Sequence, residues 1–330
     1  MKTFRLLTYS FFCLCIFLST AYPQWLQLGS RLRYQHVYAM TKSRDSTNGT
    51  DIFAGCSGGG VFSSTDNGSH WTLLGLNDID VVSLAVFGSH IVAGTNGSGI
   101  YVSGDKGKTW KQAEISLARP NIFAFAVIPG SDGSVMMYAG TYYDGVYCST
   151  DFGSHWVSTN AEKYPQEIWC LASRDSYLYA GTIGPVYFSS DGGKQWKEAK
   201  GVRDVHAFTV CPARGGGHDL FAGSIIGTGA WLSGNDVWEH ISSGLKNLYV
   251  WSLGSTLEKN GKSILFAGTE GGVYYSPNGG KKWTPASGGL TNMNIRSIAV
   301  TDKYVFVGTW GDGVWRRSLS DFRPVRRRSR

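Results

Sequence analysis

The residues of this 330-residue chain best suited to chemistry are aromatic rings set beside carboxylates. Tyr142-Tyr143-Asp144, Glu270 and Trp310-Gly311-Asp312 combine flat apolar faces, which stack on a sugar ring, with acids that accept from its hydroxyls. Further polar or aromatic candidates are Asp80, Arg119, Glu167, Asp204, His206, Tyr249 and Arg296. Glycoside hydrolysis asks for two carboxyl groups roughly 5 to 10 Å apart. Asp144 with Glu270, or Glu167 with Asp204, are the pairs to consider. No Gly-x-Ser-x-Gly elbow falls on a strand-to-helix turn, no phosphate loop ends in Gly-Lys-Ser/Thr, and no His-Glu-x-x-His occurs. Asp66-Asn67-Gly68 mimics part of a cation loop but lacks its further ligands and closing Glu, so neither metal nor cofactor is expected.

These residues sit on the links of a repeated unit of about 40 residues. A glycine after a small residue closes an apolar run at Gly55, Gly94, Gly140, Gly181, Gly223, Gly268 and Gly308. Each unit divides into four short runs, illustrated by Val81 to Val86, His90 to Gly94, Gly99 to Ser103 and Thr109 to Glu114. Their alternation and β-branched content predict strands, and the Gly and Asx clusters between them predict tight turns. Four antiparallel strands cannot bury both faces alone, so the units must stack around an axis. The predicted fold is therefore all-β, a seven-bladed β-propeller of four-stranded antiparallel blades. The last unit, Asn294 to Ser318, holds three strands, and Gln24 to Gly29 supplies the fourth from the other end of the chain. The N-terminal strand thus closes the last blade and covers an edge.

After each of the first six glycine markers comes Ser-x-Asp/Asn-x-Gly-x-x-Trp. It is complete at Asp66/Trp71, Asp105/Trp110, Asp151/Trp156, Asp191/Trp196 and Asn278/Trp283, and two residues short at Asn235/Trp238. The acid or amide accepts from turn N–H groups, the Gly supplies positive φ, and the Trp packs between blades, so these residues are assigned to structure. The pattern resembles the Asp-box, or bacterial neuraminidase repeat, of sialidases, two-propeller xyloglucanases, sortilin-type receptors and photosystem assembly factors. That resemblance implies the propeller; the families share the box and not the chemistry. A sialidase would imply three arginines around a substrate carboxylate, the first in an early Arg-Ile-Pro-like motif. Here Arg31 and Arg33 sit in Ser-Arg-Leu-Arg-Tyr, and Arg119, Arg203 and Arg296 are scattered. A xyloglucanase places its cleft between two propellers, and this chain has one; the assembly-factor resemblance implies protein binding without catalysis.

Residues 1–21 read as a secretory leader, with Lys2 and Arg5, an apolar stretch from Leu6 to Leu18, then Ser19-Thr20-Ala21. No later segment is long and apolar enough for a transmembrane helix. The expected place is secreted, periplasmic or at the cell surface. The net charge of +7 is carried by the leader and by five arginines between Arg323 and Arg330, which leaves a neutral body. A neutral body argues against nucleic acid as partner. Residues 22–318 are assigned to the propeller and 319–330 to a basic, disordered tail. Cys56, Cys148, Cys170 and Cys211 follow no regular spacing and read as small side chains within or beside strands. The expectation is a monomeric module binding a protein or glycan on its loop rim, with a carbohydrate-active hydrolase as the alternative.

Overall fold

The computed structural model describes residues 24–323 except 47–48, 116–120, 131, 160–165, 213–216, 226–229, 235–236 and 259–260. The leader, Arg119, Asn235 and the arginines beyond Arg323 therefore lie outside the described residues.

The chain forms an all-β propeller in which six sheets are four-stranded antiparallel blades. The remaining sheet, built on Ile122–Pro129, Val135–Thr141, Val146–Ser149 and His155–Ser158, carries a fifth strand. This corrects the expectation of seven four-stranded blades. The fourth run of the second unit, predicted to continue to Glu114, pairs in its own sheet only at Lys111–Gln112. The chain then crosses the gap, and Glu114–Ile115 pairs in parallel with His155–Trp156 of the next sheet.

The innermost strands start at Val37, Val81, Ile122, Ile168, Val205, Val250 and Ile295, and each packs against the next until the last meets the first. All of these starting residues are β-branched and fully buried. Each packs against the marker glycine of the blade before it. A Cβ at Gly308 would lie 2.6 Å from Val37 Cγ1, and one at Gly55 would lie 2.7 Å from Val81 Cγ1. Such separations are well inside van der Waals contact, so the small-Gly marker is a seam between blades rather than a turn. Small polar groups stitch the same seam: Ser83 Oγ donates to Ile122 O at 2.7 Å and Ser297 Oγ to Val37 O at 3.0 Å. The Cys170 thiol approaches Val205 O in the same way at 3.5 Å. All four described cysteines are free; Cys56, Cys170 and Cys211 are buried and Cys148 is half-buried.

The Asp-box turns are built as the residues predict. Ser64 Oγ donates to Asp66 Oδ1 at 2.9 Å, accepts from Gly68 N at 2.7 Å, and Asp66 Oδ1 also accepts from His70 N at 2.9 Å. The same contacts recur around Asp105, Asp151, Asp191 and Asn278. The box glycines hold φ between 84° and 88°, the left-handed region that favours glycine.

The box tryptophans are less uniform than their turns. Trp71, Trp156, Trp238 and Trp283 are buried, whereas Trp110 and Trp196 are only half-buried, which corrects the expectation that every box ring is enclosed between blades. Trp110 still spans the gap, since its Nε1 donates to Leu74 O of the preceding blade at 3.1 Å. Trp196 bonds otherwise: its Nε1 turns back to Gly193 O of its own box at 2.9 Å, while its ring packs on a cluster that joins Tyr138 of the preceding blade to Ile168 and Leu178 of its own. Trp156 makes the same bond to Gly153 O at 2.8 Å and is buried nonetheless, because Glu114–Ile115 pairs alongside it. The sheet beside Trp196 has four strands among the described residues, so no such cover reaches the ring.

The blade begun by Ile295–Val300, Tyr304–Thr309 and Val314–Ser318 is completed by Leu26–Leu28, with Leu26 opposite Arg316 and Leu28 opposite Val314. Trp25 anchors this strand through Nε1, which donates to Ala286 O at 2.6 Å. Leu319–Phe322, expected within the basic tail, instead forms a short 3-10 helix with Leu319 and Phe322 buried. Phe322 packs on Trp25, Phe266 and Tyr275, which explains why this segment is ordered despite its basic neighbours. No helix among the described residues is long and apolar enough to cross a membrane.

Gly308→Ala should lose about 1–3 kcal/mol, because the added methyl overpacks a rigid seam. Gly288→Ala, where the added carbon meets nothing within 4 Å, should stay within about 0.5 kcal/mol of the parent. Urea unfolding of the two variants measures the contrast.

Candidate functional site

The first two residues of each inner strand do opposite things. The first is buried in the seam; the second is skipped by the ladder. Pairing shifts register between Val37 and Ala39, Val81 and Ser83, Ile122 and Ala124, Ile168 and Cys170, Val205 and Ala207, Val250 and Ser252, and Ile295 and Ser297. A β-bulge re-aims the residue it leaves unpaired. Here it delivers Tyr38, Val82, Phe123, Trp169, His206, Trp251 and Arg296 to one mouth of the central channel. The fourth residues of the same strands, from Met40 and Leu84 round to Leu253 and Ile298, also line this channel and put an apolar layer beneath. The result is a shallow cup of about 220 Å³ with aromatic walls.

The second-to-third links rise beside this mouth, as anticipated for one shared rim: bridges join Trp310 to His36 and Asn96 to Asn121. Threonines rigidify the links. Thr141 Oγ1 donates to Gly145 O at 2.8 Å and accepts from Asp144 N at 2.9 Å. Thr309 repeats the arrangement with Gly313 O and Asp312 N.

Most of the cup wall is one continuous arc of rings. Tyr143 meets Tyr142 edge-on at 4.2 Å, and Tyr142 meets Phe123 and Trp169 at 5.5 and 5.3 Å. Phe123 stacks on Trp169 at 5.1 Å with 6° between the planes, and Trp169 stacks on His206 at 4.5 Å. His206 meets Trp251 edge-on at 5.1 Å. The Arg296 guanidinium then lies 4.0 Å from the Trp251 ring centre and 4.5 Å from that of Trp310. Trp310 touches His36 and Tyr38 at 4.9 and 5.5 Å and ends the arc.

The electrostatics follow from burial. Burial, reinforced by the Arg296 charge, pushes His206 down to about 4, so its imidazole is neutral near pH 7. Burial also lowers the Arg296 guanidinium, while Glu270 and Tyr38 oppose that shift. Tyr38 is raised by burial, with Arg296 pulling it down and Asp80 pushing it up. Glu270 is the Arg296 counter-charge at 3.8 Å and accepts from Trp251 Nε1 at 3.2 Å. His36 Nδ1, Asp144 Oδ2, Trp169 Nε1, His206 Nε2, Asn294 Oδ1 and Arg296 Nε are buried with no hydrogen-bond partner among the described residues. Such atoms are costly to leave unmade and mark a place where a ligand gains most by pairing them.

The sequence candidates thus divide. Tyr142, Tyr143, Glu270 and Trp310 join the arc. Asp144 stands on the adjoining link, and Glu167 is close enough to raise the Tyr142 phenol, after the larger effects of its bond to Tyr143 and of burial. Asp312 does not join them: its carboxylate accepts from Gln27 Nε2 at 2.8 Å and from Thr291 Oγ1, tying the N-terminal strand to its blade. Asp80 accepts from Ser57 Oγ at 2.7 Å and Gly58 N at 2.6 Å, at the edge of the mouth. Tyr38, Phe123, Trp169 and Trp251 were missed. Lining up the second residue of every inner strand would have shown them as a ring.

Six of the ten exposed large apolar side chains among the described residues, Tyr34, Tyr143, Ile183, Tyr249, Met293 and Trp310, stand on links of this rim. A larger cavity of about 580 Å³ opens at the other rim between the second and third units. Of the acids there, Asp105 and Asp151 spend their oxygens on their own turns, through Thr109, His155 and the box serines, and Glu114 pairs with His155 at 3.5 Å. Unlike the channel mouth, that cavity offers no orphaned buried polar atom among the described residues.

No family model and no curated protein matches the sequence. Solved structures match in fold. The extracellular domain of a putative hybrid two-component system from B. thetaiotaomicron aligns with TM-score 0.66 and 16% identity over 89% of this chain and 40% of its own. The GH74 xyloglucanase from Xanthomonas campestris gives 0.64 and 16% over 87% of this chain and 43% of its own. The chain therefore spans about two fifths of these larger proteins. YCF48 bound to D1 peptide gives 0.66 and 16%, over 92% of this chain and 98% of its own. At these identities the likeness is one of fold.

The depressed His206 carries a pH signature. The unfolded chain takes up this proton near pH 6.5 and the folded protein near 4, so folding stability is full above about pH 6.5 and falls as pH drops toward 4. The loss approaches about 3 kcal/mol for this group. His206→Phe keeps the stack on Trp169 and should flatten that part of the profile in melting curves recorded between pH 4 and 7.

Proposed function

We propose that this chain is a binding module that takes a protein segment at the channel mouth, without catalysing a reaction. The observation that carries this reading is the coincidence, on one rim, of the exposed apolar side chains with a cup whose wall holds orphaned polar atoms. Monomeric proteins seldom gather exposed apolar surface this way without a partner for it. A rigid aromatic rim also loses little entropy on binding, and Trp, Tyr and Arg are the usual anchors of interfaces. A single propeller of this fold and size, YCF48, has been solved with a peptide bound, which supports a peptide over a sugar. The carboxylates favour binding too: Glu270 neutralises Arg296, and Asp312 holds the closing strand. The apolar leader at residues 1–21 would carry the module out of the cytoplasm, in keeping with the extracellular propeller among its structural neighbours.

A random peptide library and an oligosaccharide array, both offered to the full chain, test the reading. Peptides carrying a large apolar residue should be enriched. Tyr143→Ala should weaken them about tenfold or more while leaving the melting temperature unchanged, and Trp310→Ala should weaken them at least as much while lowering the melting temperature, because its ring also supports Arg296. Retention of sugars in place of peptides, or peptides indifferent to both substitutions, would overturn it.

A further inference from the structure

The cup wall is not even around its circumference. The bulge positions carry rings or long side chains at Tyr38, Phe123, Trp169, His206, Trp251 and Arg296, whereas the second unit presents Val82. The links beside Val82 are low as well. The first unit turns through Ser57-Gly58-Gly59 and the second through Asn96-Gly97-Ser98, with no large side chain. A Cβ added at Gly58 would meet nothing within 4 Å, and one at Gly97 only Asn121 Oδ1 at 3.9 Å. Tyr142-Tyr143 of the third unit and Trp310 of the last stand on either side of this low stretch, both ending in exposed rings. Among the described residues the mouth therefore has a notch between the first two units, with a raised ring on each side.

The two ends of this path differ in charge. At the cup end stand Arg296 and the unpartnered Trp169 Nε1 and His206 Nε2. At the notch stands Asp80, two residues before Val82, holding Ser57 Oγ and Gly58 N through a single oxygen, Oδ1. An occupant that matches both ends offers acceptors in the cup and a cation at the notch.

We infer that the ligand is an extended peptide that places one large apolar residue in the cup, leaves through the notch over Val82, and sets a Lys or Arg beside Asp80. This deepens the protein-binding reading above and rests on it. An extended chain advances about 3.3 Å per residue. The inferred path sets the cation two or three positions before or after the apolar anchor.

The test uses peptides selected on the full chain. Enriched sequences should pair a large apolar residue with Lys or Arg two or three positions away. Val82→Phe installs at the notch the residue that Phe123 already places at the next bulge, and it should weaken those peptides about tenfold or more with an unchanged melting temperature. Val82→Leu, a smaller filling, should weaken them less and serves if the Phe variant misfolds. Selection repeated on Asp80→Asn should lose the basic preference. Peptides that depend on Trp310 but ignore Val82→Phe and Val82→Leu, or that show no basic preference, would overturn the notch while leaving the binding reading intact. Peptides that ignore Trp310 as well would overturn both.

Discussion

Everything in this molecule hangs on the contact between a glycine closing one blade's second strand and the β-branched residue opening the next blade's first. Blades that twist about a common axis must come closest near that axis, where neither side has room for a second side chain. Placing all the bulk on Val or Ile and none on the glycine lets the strands interlock without a void. Because the contact recurs from Gly55 with Val81 round to Gly308 with Val37, the first and last blades meet by the same rule as any neighbours. Closure needs no special device at the seam, and the N-terminal strand is left to cover the outer edge, where Trp25 and Gln27 hold it.

That seam also makes the mouth. A strand held by its first and third residues against a neighbour cannot also keep its second in the ladder, and the register shift after the first residue is the outcome in every inner strand. The expelled residue points to the channel, so its identity is free of the packing rules that fix the residues on either side. The scaffold thereby separates fixed geometry from adjustable chemistry. Val37 and Ala39 answer to packing, while Tyr38 between them answers to whatever enters the cup.

This separation explains what the sequence revealed. The repeat, the box turns, the strand count of most units and the exchange of the closing strand are local or periodic signals, and residues such as Gly55, Asp66 and Trp25 carry them directly. The bulge residues are hidden, because a strand reading buried, half-buried, buried gives no sign that its half-buried side faces a channel instead of solvent. Trp169 and Trp251 pass for ordinary strand aromatics on that pattern. His206 and Arg296 drew attention through their charge alone. Asp312 misled because an acid on a rim link looks available until its partners, Gln27 and Thr291, arrive from distant parts of the chain. The fifth strand at Glu114–Ile115 was illegible for a related reason: it departs from the repeat, and only the neighbouring sheet edge gives it a partner. The box shows the same limit, since identical spacing buries Trp156 and leaves Trp196 half open, the difference lying in a strand supplied by another unit.

The cost of the arc argues that it is more than packing. Arg296 is largely desolvated, with a single loosely placed carboxylate, and two indole faces supply much of its remaining stabilisation. Burial, with that charge beside it, strips His206 of its proton, and its Nε2 has no hydrogen-bond partner among the described residues. A wall built for stability alone would use apolar side chains, as the layer beneath does, and would leave no buried polar atom unpaired. Polar groups held at such cost at the mouth, above an apolar floor and beneath a rim of exposed rings, contribute most when another molecule supplies the missing hydrogen-bond partners. What the empty wall leaves unsatisfied is then available to binding, less what association itself costs.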